Sequence, residues 1–451
     1  MNSSVNKEGI TRLCRTLEEN TVFDTKLYDK FDVKRGLRNK DGTGVVAGIT
    51  NICNVHGYIV NEGDKEPIEG ELIYRGYNIN DIVGNVQKEG RFGFEEVAYL
   101  LLTGQLPDAA TLKRFTDYIA ERRELPMGFV VDMILKAPSK NIMNKLGRSV
   151  MALYSYDDEC ENPSVENEMR IACDLIAKLP VIMTHAYQAK KSYYDKKSMI
   201  MHPLIKEQTI AETILSLMRL DRQFTPEEAH LLDTLLMIHA EHGGGNNSAF
   251  ACRVLTSSGT DPYAAYAAAI GALKGPKHGG ANIKVMEMLH NFEENVEHWD
   301  NEGEVADHMI KILKKEANDH SGLIYGMGHA VYTLSDPRAK ILKKKAFETA
   351  KGTEFEAEFK LLETIEKLTP EIFKQVKGSD KVVCANVDMY SGLVYKMLRI
   401  PESLYTPLFA VSRIVGWSAH RIEEKLTGGR IIRPAYKAVA KQKEYTPLAD
   451  R

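Results

Sequence analysis

Residues 225–242 read TPEEAHLLDTLLMIHAEH, and this stretch decides the fold class. Thr225 and Glu228 stand three apart, the spacing of a capping box. Pro226 takes the first helical position, where its missing N–H costs nothing. The pair launches the run AHLLDTLLMIHAEH as a helix. The same device recurs: Asp261-Pro262 precedes AAYAAAIGAL, Asp336-Pro337 precedes RAKILKKKAFETA, and Thr369-Pro370-Glu371 precedes IFKQV. Each places an oxygen-bearing cap before a proline and predicts a helix start. Phe94 to Leu102 reads as an apolar helix ended by Gly104.

Only residues 44–80 read differently. VVAGITNI and VHGYIVN are β-rich, and NEGDKEPIEG, from Asn61 to Gly70, is turn-rich. No period of 20–50 residues recurs, and strands do not alternate with helices, so neither a solenoid nor a Rossmann-like sheet is expected. The fold class is mostly α with a short β-rich N-terminal segment.

Composition shifts near residue 284. From there to about 375 the helices become strongly charged, as in NFEENVEHWDNEGEVADHMIKILKKEANDH, and read as amphipathic helices of a smaller unit. After 391 the text returns to small and apolar residues. The expected organisation is a large helical domain over 1–280, a small helical domain over 281–398, and a return to the large domain over 399–451. The Ala-rich helix from Ala264 to Leu273 lets a neighbour approach closely, either in the core or across a subunit interface.

The chain has 451 residues, 59 basic against 62 acidic side chains, and a net charge of -3, which gives no electrostatic case for nucleic acid or an anionic membrane. The six cysteines form no C-x-x-C pair and read as reduced thiols. The first 20 residues lack an apolar signal core and carry Glu8, Glu18 and Glu19; no run of about 18 apolar residues occurs. A cytoplasmic protein without a membrane span is expected.

Four breaks between helices concentrate polar residues: His239 to Asn247, Gly275 to Asn282, Tyr325 to Tyr332, and Asn386 to Gly392. Glycine beside a reactive side chain lets a ligand come close. His239 and His242 could be metal ligands, but a helical zinc site of the protease type needs His-Glu-x-x-His, and the order here differs. A capping or core role suits His239 better, and a ligand hydrogen bond suits His242. The glycines at 243–245 do not form a phosphate loop. His278 lies just before a helix, where the dipole disfavours the imidazolium, so a neutral donor to a developing oxyanion and a structural loop histidine both fit.

Taken together, residues 239–247, 275–282, 326–338 and 386–392 resemble the signature segments of the citrate synthase family. Asp336-Pro337-Arg338 follows His329 at the family's interval, and Ser412-Arg413 and Arg433-Pro434 follow in the expected order. The resemblance spans Gly44 to Pro434. It implies a multi-helical two-domain enzyme that condenses acetyl-CoA with oxaloacetate and hydrolyses the citryl thioester. By resemblance Asp388 is the base, His278 hydrogen-bonds the thioester oxygen, and His329 polarises the oxaloacetate carbonyl. Arg338, Arg413 and Arg433 match the two carboxylates, with His242 as a further donor and Asn246 in support. In family members the last arginine comes from the neighbouring subunit, which implies a homodimer with Arg433 contributed across the interface. Backbone from Ile324 through Tyr325, Gly326 and Met327 to Gly328 would face the adenine of CoA. Many members place a basic residue four positions after the second catalytic histidine. Here that residue is Thr333, so the phosphates are expected at Lys277, Lys274 or Lys340. No metal or resident cofactor is implied; the CoA thioester is a substrate. The competing readings are a 2-methylcitrate synthase using propionyl-CoA, a helical metal-dependent hydrolase built on His239 and His242, and a catalytically silent binding protein.

Overall fold

The computed structural model describes residues 2–22, 24–61, 64–378 and 382–451. Helices dominate them, and the strands form one three-stranded antiparallel sheet in the order β1 (Cys53–Asn61), β2 (Asp64–Tyr74), β3 (Tyr77–Asn78). The capping box closes as expected: Thr225 N–H donates to Glu228 at 2.8 Å, and Glu228 N–H donates to Thr225 Oγ1 at 3.2 Å. Asp261 and Asp336 likewise cap the Pro262–Lys274 and Pro337–Ala350 helices. Gly104 ends Phe94–Thr103 in the left-handed conformation.

Two local expectations fail. Pro370 does not open a helix; it lies inside Glu356–Lys377, and the buried Thr369 hydroxyl bonds back to Ile365 O at 2.6 Å. The apolar face of Phe359, Leu362, Ile365 and Ile372 runs through the proline, and its burial outweighs one lost backbone bond. The turn-rich stretch at 61–70 is mostly strand, whereas no strand is assigned over 45–52. Asp64 to Pro67 pair with Asn61 to Tyr58, and a bulge between His56 and Tyr58 absorbs the irregularity.

The core is organised around Tyr405–Leu426, which is buried from Tyr405 to Ile422 and packs on the Val165–Tyr193, Pro226–His239 and Asn247–Ser257 helices. Arg421 is locked to Glu168 of the 165–193 helix by two bonds of 2.7 and 2.8 Å, both partners buried. The Ala-rich 262–274 helix packs between Asn247–Ser257 and Ile142–Leu153, a use of its small side chains within the core. The charged stretch folds as amphipathic helices, Glu302–Leu313 packing on Glu356–Lys377 through Val305, Met309 and Ile312. By compactness the chain divides into a main unit, Gly48–Ile432, and a terminal unit of residues 1–47 with 433–451. Among the described residues no helix is long and apolar enough to cross a membrane.

Candidate active site

The break after the 226–239 helix is held by a carboxylate to which sequence reasoning gave no role. Glu241 is fully buried; its Oε1 accepts the N–H groups of His242 (2.8 Å) and Gly243, and lies 3.1 Å from His420 Nε2. His420 Nδ1 in turn faces the Arg253 guanidinium at 2.8 Å, and Arg253 pairs with Glu423 and Glu424. The Tyr74 hydroxyl donates to Glu241 O at 3.0 Å, tying the same turn to β2. A buried Glu between two histidines was the available signal. Its partners on the 405–426 helix are about 180 residues away in sequence, beyond local reading.

Above this turn sit two arginines in different states. Arg338 is buried and fully oriented: Nε and a terminal nitrogen grip Asp336 at 3.0 and 2.7 Å. Arg413 is also buried, but only its Nε is used, donating to His239 O at 2.6 Å; both terminal nitrogens lack partners. A buried guanidinium with two unmet donors costs stability unless an anion completes it. His242 Nε2 is buried and unpartnered too, and its ring meets His329 edge-on with centroids 5.1 Å apart. Burial, then the charge of Arg338, holds the pKa of His242 well below the usual imidazole range, so it stays neutral. His239 packs on Phe409 instead, with burial depressing its pKa in the same way.

His278 Nε2 lies 3.1 Å from Ser248 Oγ, which also receives Trp417 Nε1–H at 3.1 Å and sits 2.9 Å from Asn246 Oδ1. Asn246 caps the 247–257 helix and orients that serine. The pKa of His278 is pushed down to about 4, first by burial and then by Arg413. The neutrality expected from a helix dipole therefore has burial as its main cause. His329 Nδ1 accepts the backbone N–H groups of Val331 (3.0 Å) and Tyr332 (3.1 Å), so its neutral ring carries the proton on Nε2.

Asp388 opens the Asp388–Met397 helix without capping it. Its loop is zipped to that of His329: Gly328 N–H donates to Cys384 O (2.7 Å), Asn386 N–H to Gly326 O (2.8 Å), and Asn386 Nδ2 to Gly328 O (2.9 Å). Asn386 Oδ1 also accepts Asp388 N–H at 2.9 Å. Gly326 has φ +81°, and a Cβ there would come within 2.9 Å of Met389 Cα, which accounts for glycine at this crossing. Burial raises the Asp388 pKa to about 6 against the pull of Arg338. A half-buried carboxylate in this state can take a proton near neutral pH, with Arg338, Asp336 and Arg413 within electrostatic reach.

Of the residues expected on the CoA side, Ile324 is buried and the Tyr325 hydroxyl is bonded to Asp319 at 2.6 Å. Lys277 is exposed. Lys340 is paired with Glu69 of β2. A cavity of about 710 Å³ adjoins this segment, lined by Met327, Lys340, Lys343, Lys367, Cys384 and Ala385 among others. Arg433 falls in the terminal unit. Among the described residues no three His, Cys, Asp or Glu side chains are grouped to hold a metal.

The family model described as "Citrate synthase, C-terminal domain" matches residues 39–435. The citrate synthase of Haloferax volcanii is 31% identical over 88% of this chain and 98% of its own. Citrate synthase 2 of Bacillus subtilis is 33% identical over 90% and 98%. The crystal structure of the Thermotoga maritima citrate synthase superposes with a TM-score of 0.73 at 29% identity, covering 93% of this chain and 99% of that one. The Thermoplasma acidophilum enzyme, solved as a ternary complex with carboxymethyl coenzyme A and oxaloacetate, gives 0.73 at 25% identity over 93% and 99%. The fold and site thus define an acyltransferase that joins a CoA-borne acyl group to a keto acid. The chain belongs to the citrate synthase family and condenses acetyl-CoA with oxaloacetate to give citrate and CoA. A 2-methylcitrate synthase 2 of Corynebacterium glutamicum is 28% identical over 93% of this chain and 98% of its own, so the propionyl-CoA alternative is not the better supported.

Proposed function

We propose that Asp388, His278 and His329 carry this condensation, with His242, Arg338 and Arg413 seating the oxaloacetate dianion. The observation that carries the reading is Arg413: a buried guanidinium whose two terminal donors are unmet is built to receive a carboxylate bidentately. Arg338, pre-oriented by Asp336, serves the second carboxylate, and the homodimer reading adds the partner subunit's Arg433.

Asp388 removes an α-proton from the acetyl group while His278 donates a hydrogen bond to the thioester oxygen, spreading the negative charge as it forms. For His278 to donate from Nδ1, the Ser248 hydroxyl proton must go to Nε2 and not to Asn246. Trp417 Nε1–H can only donate, so it leaves that proton free to move. The enol carbon attacks the keto carbonyl, which His329 polarises through Nε2–H and then protonates, the proton that Asp388 took from the acetyl group making up the one His329 gives. Water cleaves the citryl thioester and releases CoA. The reading assigns no resident cofactor.

The backbone of Ile324 to Gly328 takes the adenine side of CoA. The exposed Lys277 is left for the phosphates, because Lys340, Lys343 and Lys367 on the adjoining cavity wall are each paired with a carboxylate. The large domain (1–280 and 399–451) brings His242, His278 and Arg413, while the small domain (281–398) brings His329, Arg338 and Asp388. Closure of one on the other would exclude water until condensation is complete. Small-angle scattering should show compaction on adding oxaloacetate, and its absence would count against closure. Six cysteines without a disulfide fit a reducing compartment such as the cytoplasm, and the product fits the tricarboxylic acid cycle. The test is Asp388→Ala: oxaloacetate-dependent thiol release should vanish while calorimetry still registers oxaloacetate binding. Retained turnover would overturn the assignment.

A further inference from the structure

The Tyr332 side chain has no role so far, yet it packs on both His329 and His242. Its ring stacks on His329 with centroids 4.6 Å apart and planes 26° off parallel. Its edge meets His242 at 5.6 Å and 73°. Its own N–H is one of the two that donate to His329 Nδ1. At 2% exposure the side chain has no freedom to swing away.

What holds it is the β1–β2 hairpin. The Tyr332 hydroxyl donates to Glu71 O at 3.3 Å, and Gly70 N–H donates to Ser335 Oγ at 3.2 Å. Glu69 accepts from Ser335 and pairs with Lys340. Two strand positions lack side chains where the loop crosses. A Cβ on Gly57 would come within 2.9 Å of Val331 O and 3.2 Å of Tyr332 Cδ1. One on Gly70 would fall 2.0 Å from Ser335 O and 2.7 Å from Tyr332 Cδ1. Glycine inside a strand costs stability, so its presence at both crossing points marks a close approach.

We propose that Tyr332 is a positioning residue for His329, clamped by the hairpin through Gly57 and Gly70. The ring sets the plane of the imidazole, and the backbone N–H fixes the Nε2–H tautomer. A flat aromatic face against a neutral imidazole restrains rotation about the ring bond without changing its charge. Orientation matters because a hydrogen bond to the keto carbonyl weakens steeply as its angle departs from linear. The inference rests on the proposed role of His329 in polarising that carbonyl.

The test uses the full chain and oxaloacetate labelled with ¹³C at the keto carbon, together with steady-state kinetics. In the wild type, bound oxaloacetate should show a carbonyl resonance shifted from the free ligand, and His329→Ala should abolish the shift. Tyr332→Leu keeps apolar volume and the backbone N–H but removes the ring. It should lower kcat about tenfold or more, move the carbonyl resonance back toward the free value, and leave the KM for acetyl-CoA within about twofold. Tyr332→Phe keeps the stack and should recover kcat to within about threefold, since only a long hydroxyl contact is lost. Gly70→Ala, which disturbs the clamp from the strand side, should reproduce the Tyr332→Leu signature and serves if that variant does not fold. Wild-type kcat and carbonyl shift in Tyr332→Leu or Gly70→Ala would overturn the proposal, as would a Phe variant as impaired as the Leu variant. A shift that survives His329→Ala would instead sink the underlying role of His329.

Discussion

Replacing Asp388 by Asn should stabilise the protein while destroying its activity. In the folded chain burial lifts the carboxyl from an ordinary 3.8 to about 6. Between those values the folded state binds the extra proton, so stability falls as pH rises through the window and is flat above it. At neutral pH the ionised carboxylate costs up to about 3 kcal/mol, a ceiling because the half-buried group retains some solvent. Asparagine keeps the shape without the charge and should recover most of that. Unfolding entropy is about 2.1 cal/mol/K per residue, so over 451 residues the gain corresponds to a Tm increase of about 3 °C. Scanning calorimetry of both proteins at pH 4 and pH 7.5 is the assay: the difference should be near zero at pH 4 and full at pH 7.5. Meanwhile kcat should fall by about 10²–10⁴-fold. A gap of equal size at both pH values, or an Asn variant less stable at pH 7.5, would refute the reasoning that burial of this charge sets its basicity.

The same ionisation predicts that wild-type kcat/KM rises with pH to a plateau above about 6, read from initial rates of thiol release. Arg413→Lys removes the planar fork and should raise the KM for oxaloacetate by about 10²-fold, with little change in that for acetyl-CoA. Glu241→Ala strands the N–H groups of His242 and Gly243 together with His420, and should lower stability by about 3 kcal/mol or more in denaturant titrations. Ser248→Ala removes the hydroxyl beside His278 and should lower kcat about tenfold, with oxaloacetate binding unchanged by calorimetry.

What was legible in the sequence was local or carried by spacing. The caps at Thr225, Asp261 and Asp336 depend on three or four neighbouring residues, so the text suffices to place them. Pro370 misleads because the decision there belongs to a buried face that continues on both sides of it. The strand through 64–70 misleads because its turn-like composition is overruled by pairing with β1. In the site, the four polar breaks named His242, His278, His329 and Asp388, the family resemblance added Arg338, and the structure brings these together around Arg413. The supports were hidden for a physical reason. Glu241 is held by His420, Ser248 by Trp417, and Tyr332 by the β1–β2 hairpin, all through contacts between segments far apart in the chain. A histidine in a motif can be read from the sequence; the tautomer it must adopt is set by neighbours that only folding supplies.

Condensation on the proposed Asp388, His278 and His329 set should depend on oxaloacetate and prefer acetyl-CoA. The most direct measurement is kcat/KM for acetyl-CoA and for propionyl-CoA, each with saturating oxaloacetate, following release of free thiol. Release should require oxaloacetate and favour the acetyl thioester; release without oxaloacetate, or a preference for the propionyl thioester, would contradict this assignment.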